Sequence, residues 1–152
     1  MTGTVRFATP ADADALVTLR ASMFEAMGQD VSGPEWRAGA RAWFERRLEG
    51  DGVLVAVLEV PGAGPVACAM GVLEHRAPSP TNPAGLAAHL SQVSTLAEHR
   101  RKGFARACLE ALLAALDERG VARTDLFATP EGDGLYRSLG FRTSPNPSLR
   151  RP

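Results

Sequence analysis

The chain has 152 residues, 45% of them apolar, and its 17 basic and 17 acidic side chains cancel to a formal net charge of zero. That length suits one domain with a real core, here residues 1–152, and the apolar share excludes a disordered chain. The cancelled charge removes the long-range field that non-specific nucleic-acid binding depends on, so no nucleic-acid partner is expected. The N-terminus, "MTGTVRFATPADADAL", lacks a charged start followed by an apolar run, and nothing approaches the length of a membrane span. A cytoplasmic protein with no membrane partner is therefore expected. Cys68 and Cys108 stand far apart with neither metal-ligand nor disulfide spacing, so both read as small buried hydrophobes and no metal site is expected.

In chain order, "TVRFAT" alternates and reads as an opening strand. Thr9, Pro10 and Asp12 then form the start of a helix, as N-cap, first helical residue and acidic member of a capping box. Leu16, Leu19, Met23 and Met27 fall on one stripe of that helix. A loop follows, and "SGPE" predicts a second helix capped through Ser32 and Glu35, with Trp36, Ala40, Trp43, Phe44 and Leu48 on its apolar face. Two apolar runs, Val53 to Val60 and Val66 to Glu74, joined by "PGAG", predict a hairpin of buried strands. "LAAHLSQVSTL" reads as a fourth strand, on which alternation places His89, Ser91, Val93 and Thr95 on one face. A strongly striped helix is predicted from Phe104 to Arg119, with Leu109, Leu112, Leu113 and Leu116 inward and Gly120 as its C-cap. "RTDLFAT" predicts a short strand, "PEGDGLYRSLG" a short helix and "FRTS" the start of a last strand before a Pro-rich tail. The order βααβββαβαβ is that of an α/β fold, a mixed sheet covered by helices.

The knot "HRRKGFAR" lies between the fourth strand and the long helix. A glycine opening a helix lets an anion approach unpaired backbone N–H groups at the positive end of the helix dipole, and Arg100, Arg101, Lys102 and Arg106 ring that point. On spacing alone, a pyrophosphate cradle and a solvated basic turn both remain open. A P-loop would need GxxxxGKS/T and a dinucleotide fold GxGxxG after the first strand, and neither pattern occurs.

The stretch resembles motif A of the GNAT superfamily of acetyl-CoA-dependent N-acetyltransferases, Q/R-x-x-G-x-G/A, with Arg100, Gly103 and Ala105 in its fixed positions. "LYRSLGF", from Leu135 to Phe141, is similar to that family's second signature near the C-terminus. The resemblance implies a GNAT-like, mostly antiparallel sheet with helices on both faces, and acetyl-CoA as the coenzyme. It implies that backbone N–H groups from Arg101 through Lys102, Gly103, Phe104 and Ala105 to Arg106 hold the pyrophosphate. It further implies that the main chain of Val93, Ser94 and Thr95 pairs with the pantetheine arm where two parallel strands splay, between Val93 and Leu126, and that an N–H near Val93 polarises the thioester carbonyl. Two departures stand out: Ala97 replaces a proline common in relatives, and the tail "SPNPSLRRP" is short where relatives carry a full strand.

Tyr136, the only tyrosine, occupies the position from which relatives protonate the coenzyme A sulfur. His89 precedes Arg100 by the interval at which some relatives carry their base, and an imidazole suits proton transfer near neutral pH. Glu74 is held in reserve for that role. Met23, Phe24, Met27, Trp36 and Trp43 form either core or the wall of an acceptor pocket, and Glu25 and Asp30 either surface charges or lures for a cationic amine. No GxSxG elbow for a serine hydrolase is present. The expected function is acetyl transfer from acetyl-CoA to a small-molecule or peptide amine by direct attack in a ternary complex, in an assembly compatible with a homodimer. The competing reading is a non-catalytic acyl-CoA sensor that keeps the cradle.

Overall fold

The computed structural model describes residues 2–152. Five strands form one sheet in chain order: β1 (Thr4–Phe7), β2 (Val53–Val60), β3 (Gly64–His75), β4 (Leu86–Thr95) and β5 (Arg123–Leu126). β1 to β4 pair antiparallel, and β5 lies parallel to β4. Helices α1 (Ala13–Ala26) and α2 (Pro34–Arg47) join β1 to β2, α3 (Phe104–Glu118) joins β4 to β5, and α4 (Asp133–Ser138) follows β5. The parallel pair requires a crossover, and α3 supplies it.

The central strands are apolar on both faces because each face has its own cover. In β2, Val55 and Val57 pack toward α1 and α2, while Ala56 and Leu58 pack toward α3. Leu109, Leu112 and Leu116 of α3 are wholly buried on that second side, each worth about 1.5–3 kcal/mol of apolar burial. Cys68 and Cys108 are fully buried and unbridged. Burial pushes their thiols up to about 11 and about 12, which keeps them protonated and inert. Among the described residues no helix is long and apolar enough to cross a membrane.

The start of the first helix follows its sequence signature closely. One turn of 3-10 helix, Pro10–Asp12, precedes α1, and both halves of the capping box are made. Asp12 also accepts a forked pair from Arg6, at 2.8 and 2.9 Å, so the cap ties β1 to the helix. At α3, Gly103 takes φ +78° just before the helix and Gly120 takes φ +77° just after it.

Four expectations need correction. Ser32 does not cap α2: its hydroxyl donates to Asp30 at 2.7 Å, and Gly33 stands at the cap instead. Met27 lies beyond the end of α1 and is half exposed rather than on an inward stripe. Residues 141–144 form no strand, so the sheet ends at β5, consistent with a tail too rich in proline to donate to a ladder.

The fourth correction bears on the site. Met70 pairs with Gln92 while Gly71 pairs with Leu90, so Ser91 is the extra residue of a β-bulge. Because side chains alternate with a period of two, one extra residue reverses the faces beyond it. Ala88 and Leu90 pack with α3 before the bulge, and Val93 packs there after it. Gln92 and Ser94 point the other way, bonding the α1 carbonyls of Leu16 and Leu19. His89 and Ser91 therefore do not share a face with Val93 and Thr95.

Candidate active site at the strand splay and the β4–α3 loop

The β4–β5 ladder has four rungs, from Ala87 with Arg123 to Leu90 with Leu126. Past Leu90 no described strand covers the outer edge of β4, which leaves main-chain groups of residues 91–95 available to a ligand that can mimic a strand. Ser94 contributes only its backbone there, because its hydroxyl is committed to Leu19 at 2.7 Å.

The chain then turns through a 3-10 segment, Ala97–His99, into the basic loop. Arg101 at φ +64° and Gly103 at φ +78° are both left-handed, a backbone that presents successive N–H groups to one side. Among the described residues, the N–H groups of Arg101 through Arg106 donate to no protein acceptor, and the ladder of α3 begins only with Ala107 to Gly103. The loop side chains play distinct parts. Arg100 holds the loop by donating to the Thr95 carbonyl at 3.0 Å, and Arg106 donates to Ser138 of α4 at 2.8 Å. Arg101 and Lys102 are exposed, and Phe104 is buried in the core, so Phe104 offers the site its N–H alone.

At the foot of the splay stands a dyad that the sequence did not announce. His89 Nδ1 lies 2.8 Å from Asp125 Oδ1, on adjacent strands one rung from the end of the ladder. Arg76 donates to the other Asp125 oxygen at 3.1 Å and to Glu74 at 2.8 Å. Burial alone would raise the Asp125 carboxyl, but the hydrogen bonds from His89 and Arg76 outweigh it and hold it below its ordinary value. An ionised carboxylate only accepts, so Nδ1 carries the hydrogen, and in the neutral ring Nε2 holds the lone pair. Glu74, the reserve base, accepts from Arg76 and lies on the far side of it from His89 in the chain of contacts. Phe127, exposed just after β5, meets the His89 ring edge-on at 5.4 Å between centroids.

Tyr136 on α4 is half-buried against Phe141, with ring centroids 6.0 Å apart. Burial raises its phenol above the ordinary value of 10. No described residue bonds its hydroxyl. Gly132 makes room for the ring, since a Cβ there would lie 2.9 Å from Tyr136 Cε2.

On the opposite face of the sheet from α3, a cavity of about 570 Å³ opens between α1, α2 and the bulge, with Arg20, Phe24, Asp30, Trp36, Trp43 and Ser91 among its walls. Phe24, Trp36 and Trp43 thus line a cavity, while Met23, Glu25 and Met27 are not among its walls. Val72, another wall residue, is the cross-strand partner of His89, which places the dyad on the cavity's side of the sheet. Asp125 was legible only as one carboxylate inside a short strand, and Arg76 only as a charge at a strand end. Their meeting depends on which strands pair.

Residues 4–144 match the family model of the acetyltransferase (GNAT) domain. The fold is shared with a GCN5-related N-acetyltransferase from Ralstonia eutropha JMP134, at 24% identity over 98% of each chain and a TM-score of 0.85. It is shared also with a predicted acetyltransferase from Clostridium acetobutylicum solved with acetyl-CoA, at 20% identity over 98% of this chain and 96% of that one, TM-score 0.87. The aminoglycoside N-acetyltransferase AAC(6')-Iy in complex with CoA is similar at 16% identity over 99% and 94%, TM-score 0.77. No curated protein matches the sequence. The chain belongs to the GNAT family and is an acyl-CoA-dependent acetyltransferase whose cosubstrate is acetyl-CoA.

Proposed function

We propose that this GNAT enzyme transfers the acetyl group of acetyl-CoA to a primary amine by direct attack within a ternary complex, with His89 as base and Tyr136 as acid. The observation that carries the reading is the run of N–H groups without protein acceptors, from Arg101 to Arg106, beside the uncovered edge of β4. Six donors at a helix start suit a pyrophosphate, and the exposed Arg101 and Lys102 add charge at its rim. The main chain of Val93, Ser94 and Thr95 suits the amide-bearing pantetheine arm, and an N–H near Val93 suits the thioester oxygen.

In the transfer, a bond forms from the amine nitrogen to the acetyl carbon and the bond from that carbon to sulfur breaks. His89 Nε2 takes the amine proton, directly or through a water, while Asp125 keeps the other ring nitrogen protonated and the ring in place. Tyr136, kept neutral by burial, gives its proton to the departing thiolate. No described residue competes for that hydroxyl.

The test is calorimetric titration with acetyl-CoA and with coenzyme A, on the natural protein and on Gly103→Val. No atom lies within 4 Å of a Cβ built at Gly103, so the variant acts through its left-handed backbone, at about 1–3 kcal/mol of strain. Binding weakened at least about tenfold in the variant supports the cradle. A natural protein that binds neither ligand would refute the reading.

A further inference from the structure

The cavity on the α1 and α2 side combines three features that together specify a ligand. Its walls are strongly aromatic, with Phe24, Trp36 and Trp43 all partly exposed to it. A cation, Arg20, stands among them with its guanidinium 4.9 Å from the centre of the Phe24 ring. Third, that cation has no acidic partner among the described residues: its one protein bond is to Gln92 Oε1 at 3.0 Å. The only acid lining the cavity, Asp30, accepts instead from the Ser32 N–H and hydroxyl, at 3.0 and 2.7 Å.

An arginine has five N–H donors in a rigid fork, and a half-buried one makes costly use of burial unless an anion completes it. Burial lowers the Arg20 guanidinium below its ordinary value, in line with an incompletely satisfied charge. The fork's planar geometry matches a carboxylate. Position narrows the ligand further. Gln92, which holds Arg20, directly follows the bulge residue Ser91, so an anion paired with Arg20 would lie near the strand edge at which the proposed transfer places the amine. Amine and carboxylate must then be near neighbours in one molecule.

From these observations we infer that the acceptor is an aromatic α-amino acid, its carboxylate paired with Arg20 and its side chain held among Phe24, Trp36 and Trp43. The inference rests on the acetyl-transfer reading above. A polycationic acceptor is disfavoured by the same arginine through like-charge repulsion.

The protein's two tryptophans, Trp36 and Trp43, both line the cavity, so their fluorescence reports its occupancy without any cosubstrate. L-phenylalanine should perturb that emission and, with acetyl-CoA present, yield N-acetylphenylalanine. Phenethylamine, which lacks only the carboxylate, should bind and react about ten- to a hundredfold less well. Arg20→Gln keeps a donor for Gln92 but loses the charge, and should erase that preference; Arg20→Lys should restore part of it. Equal use of phenylalanine and phenethylamine, preference for kanamycin, or an unchanged preference in a folded Arg20→Gln protein would each overturn the inference. Carboxylate-dependent fluorescence without acetyl transfer or acetyl-CoA binding would instead refute the proposed function and leave the pocket chemistry standing.

Discussion

Asp125 accepts from His89 Nδ1 at 2.8 Å across the last full rungs of the parallel pair, so a carboxylate on β5 sets which nitrogen of a β4 histidine is free. The same carboxylate is held from its far side by Arg76, which is itself held by Glu74. His89 is therefore a ring with one orientation and one tautomer.

Asp125→Asn should lower kcat about ten- to a hundredfold while leaving KM for acetyl-CoA unchanged, because the amide no longer dictates the tautomer. Nitrogen-resolved histidine NMR should show Nδ1–H in the natural protein and a mixture in the variant. An unchanged rate with an unchanged tautomer would reduce Asp125 to a strand-edge ion pair.

Tyr136→Phe removes a hydroxyl that bonds no described residue, so the melting temperature should stay put while kcat falls about ten- to a hundredfold. Burial raises the phenol above 10, so its acid form persists through neutral pH and any alkaline loss of rate from this group lies above pH 10. Gly132→Ala should imitate the loss by displacing the ring, since the new Cβ would lie 2.9 Å from Tyr136 Cε2. Steady-state kinetics on both variants decides the matter, and full activity in Tyr136→Phe would assign the proton elsewhere.

Asp12 is held below its ordinary value of 3.8, first by the Arg6 hydrogen bonds and then by the Thr9 backbone, against burial that pushes it up. A carboxylate with a depressed folded value contributes stability that is present above pH 3.8 and lost as pH falls through the lower folded value. Asp12→Asn should cost about 1–3 kcal/mol at neutral pH, and the gap should close below about pH 4. Urea titrations at several pH values measure it; a gap independent of pH would mean that shape rather than charge matters there.

Gln92 is fully buried and holds three groups at once, accepting from Arg20 and donating to the Leu16 carbonyl at 3.1 Å and to Cys68 Sγ at 3.5 Å. Gln92→Leu should destabilise by about 1–3 kcal/mol, since both Arg20 and the carbonyl lose a buried partner. Chemical denaturation that shows no change would indicate that water replaces the amide.

Much of the architecture was readable from local chemistry. The Thr9–Asp12 box, the stripe expected from Phe104 to Arg119 and the hairpin of apolar runs are written in residues a few positions apart, and each formed within one or two residues of its pattern, α3 closing at Glu118. Ser32 misled because its hydroxyl donates to the neighbouring Asp30 and the helix starts one residue later, with Gly33 at the cap.

What the sequence by itself determined is the order of the elements as far as α4, the glycine that opens α3 and the basic loop around it, because each depends on backbone preferences within one turn. The tertiary structure alone decided the rest. A single extra residue, Ser91, reversed the faces of β4, placing His89 on the cavity's side of the sheet and Val93 against α3. Parallel pairing brought Asp125 to His89 across 36 positions, and the packing of α1 on β4 brought Arg20 to Gln92 across 72. Alternation along a strand carries no record of a bulge, and no local propensity encodes which strand lies alongside. Those choices are made by the sum of long-range contacts.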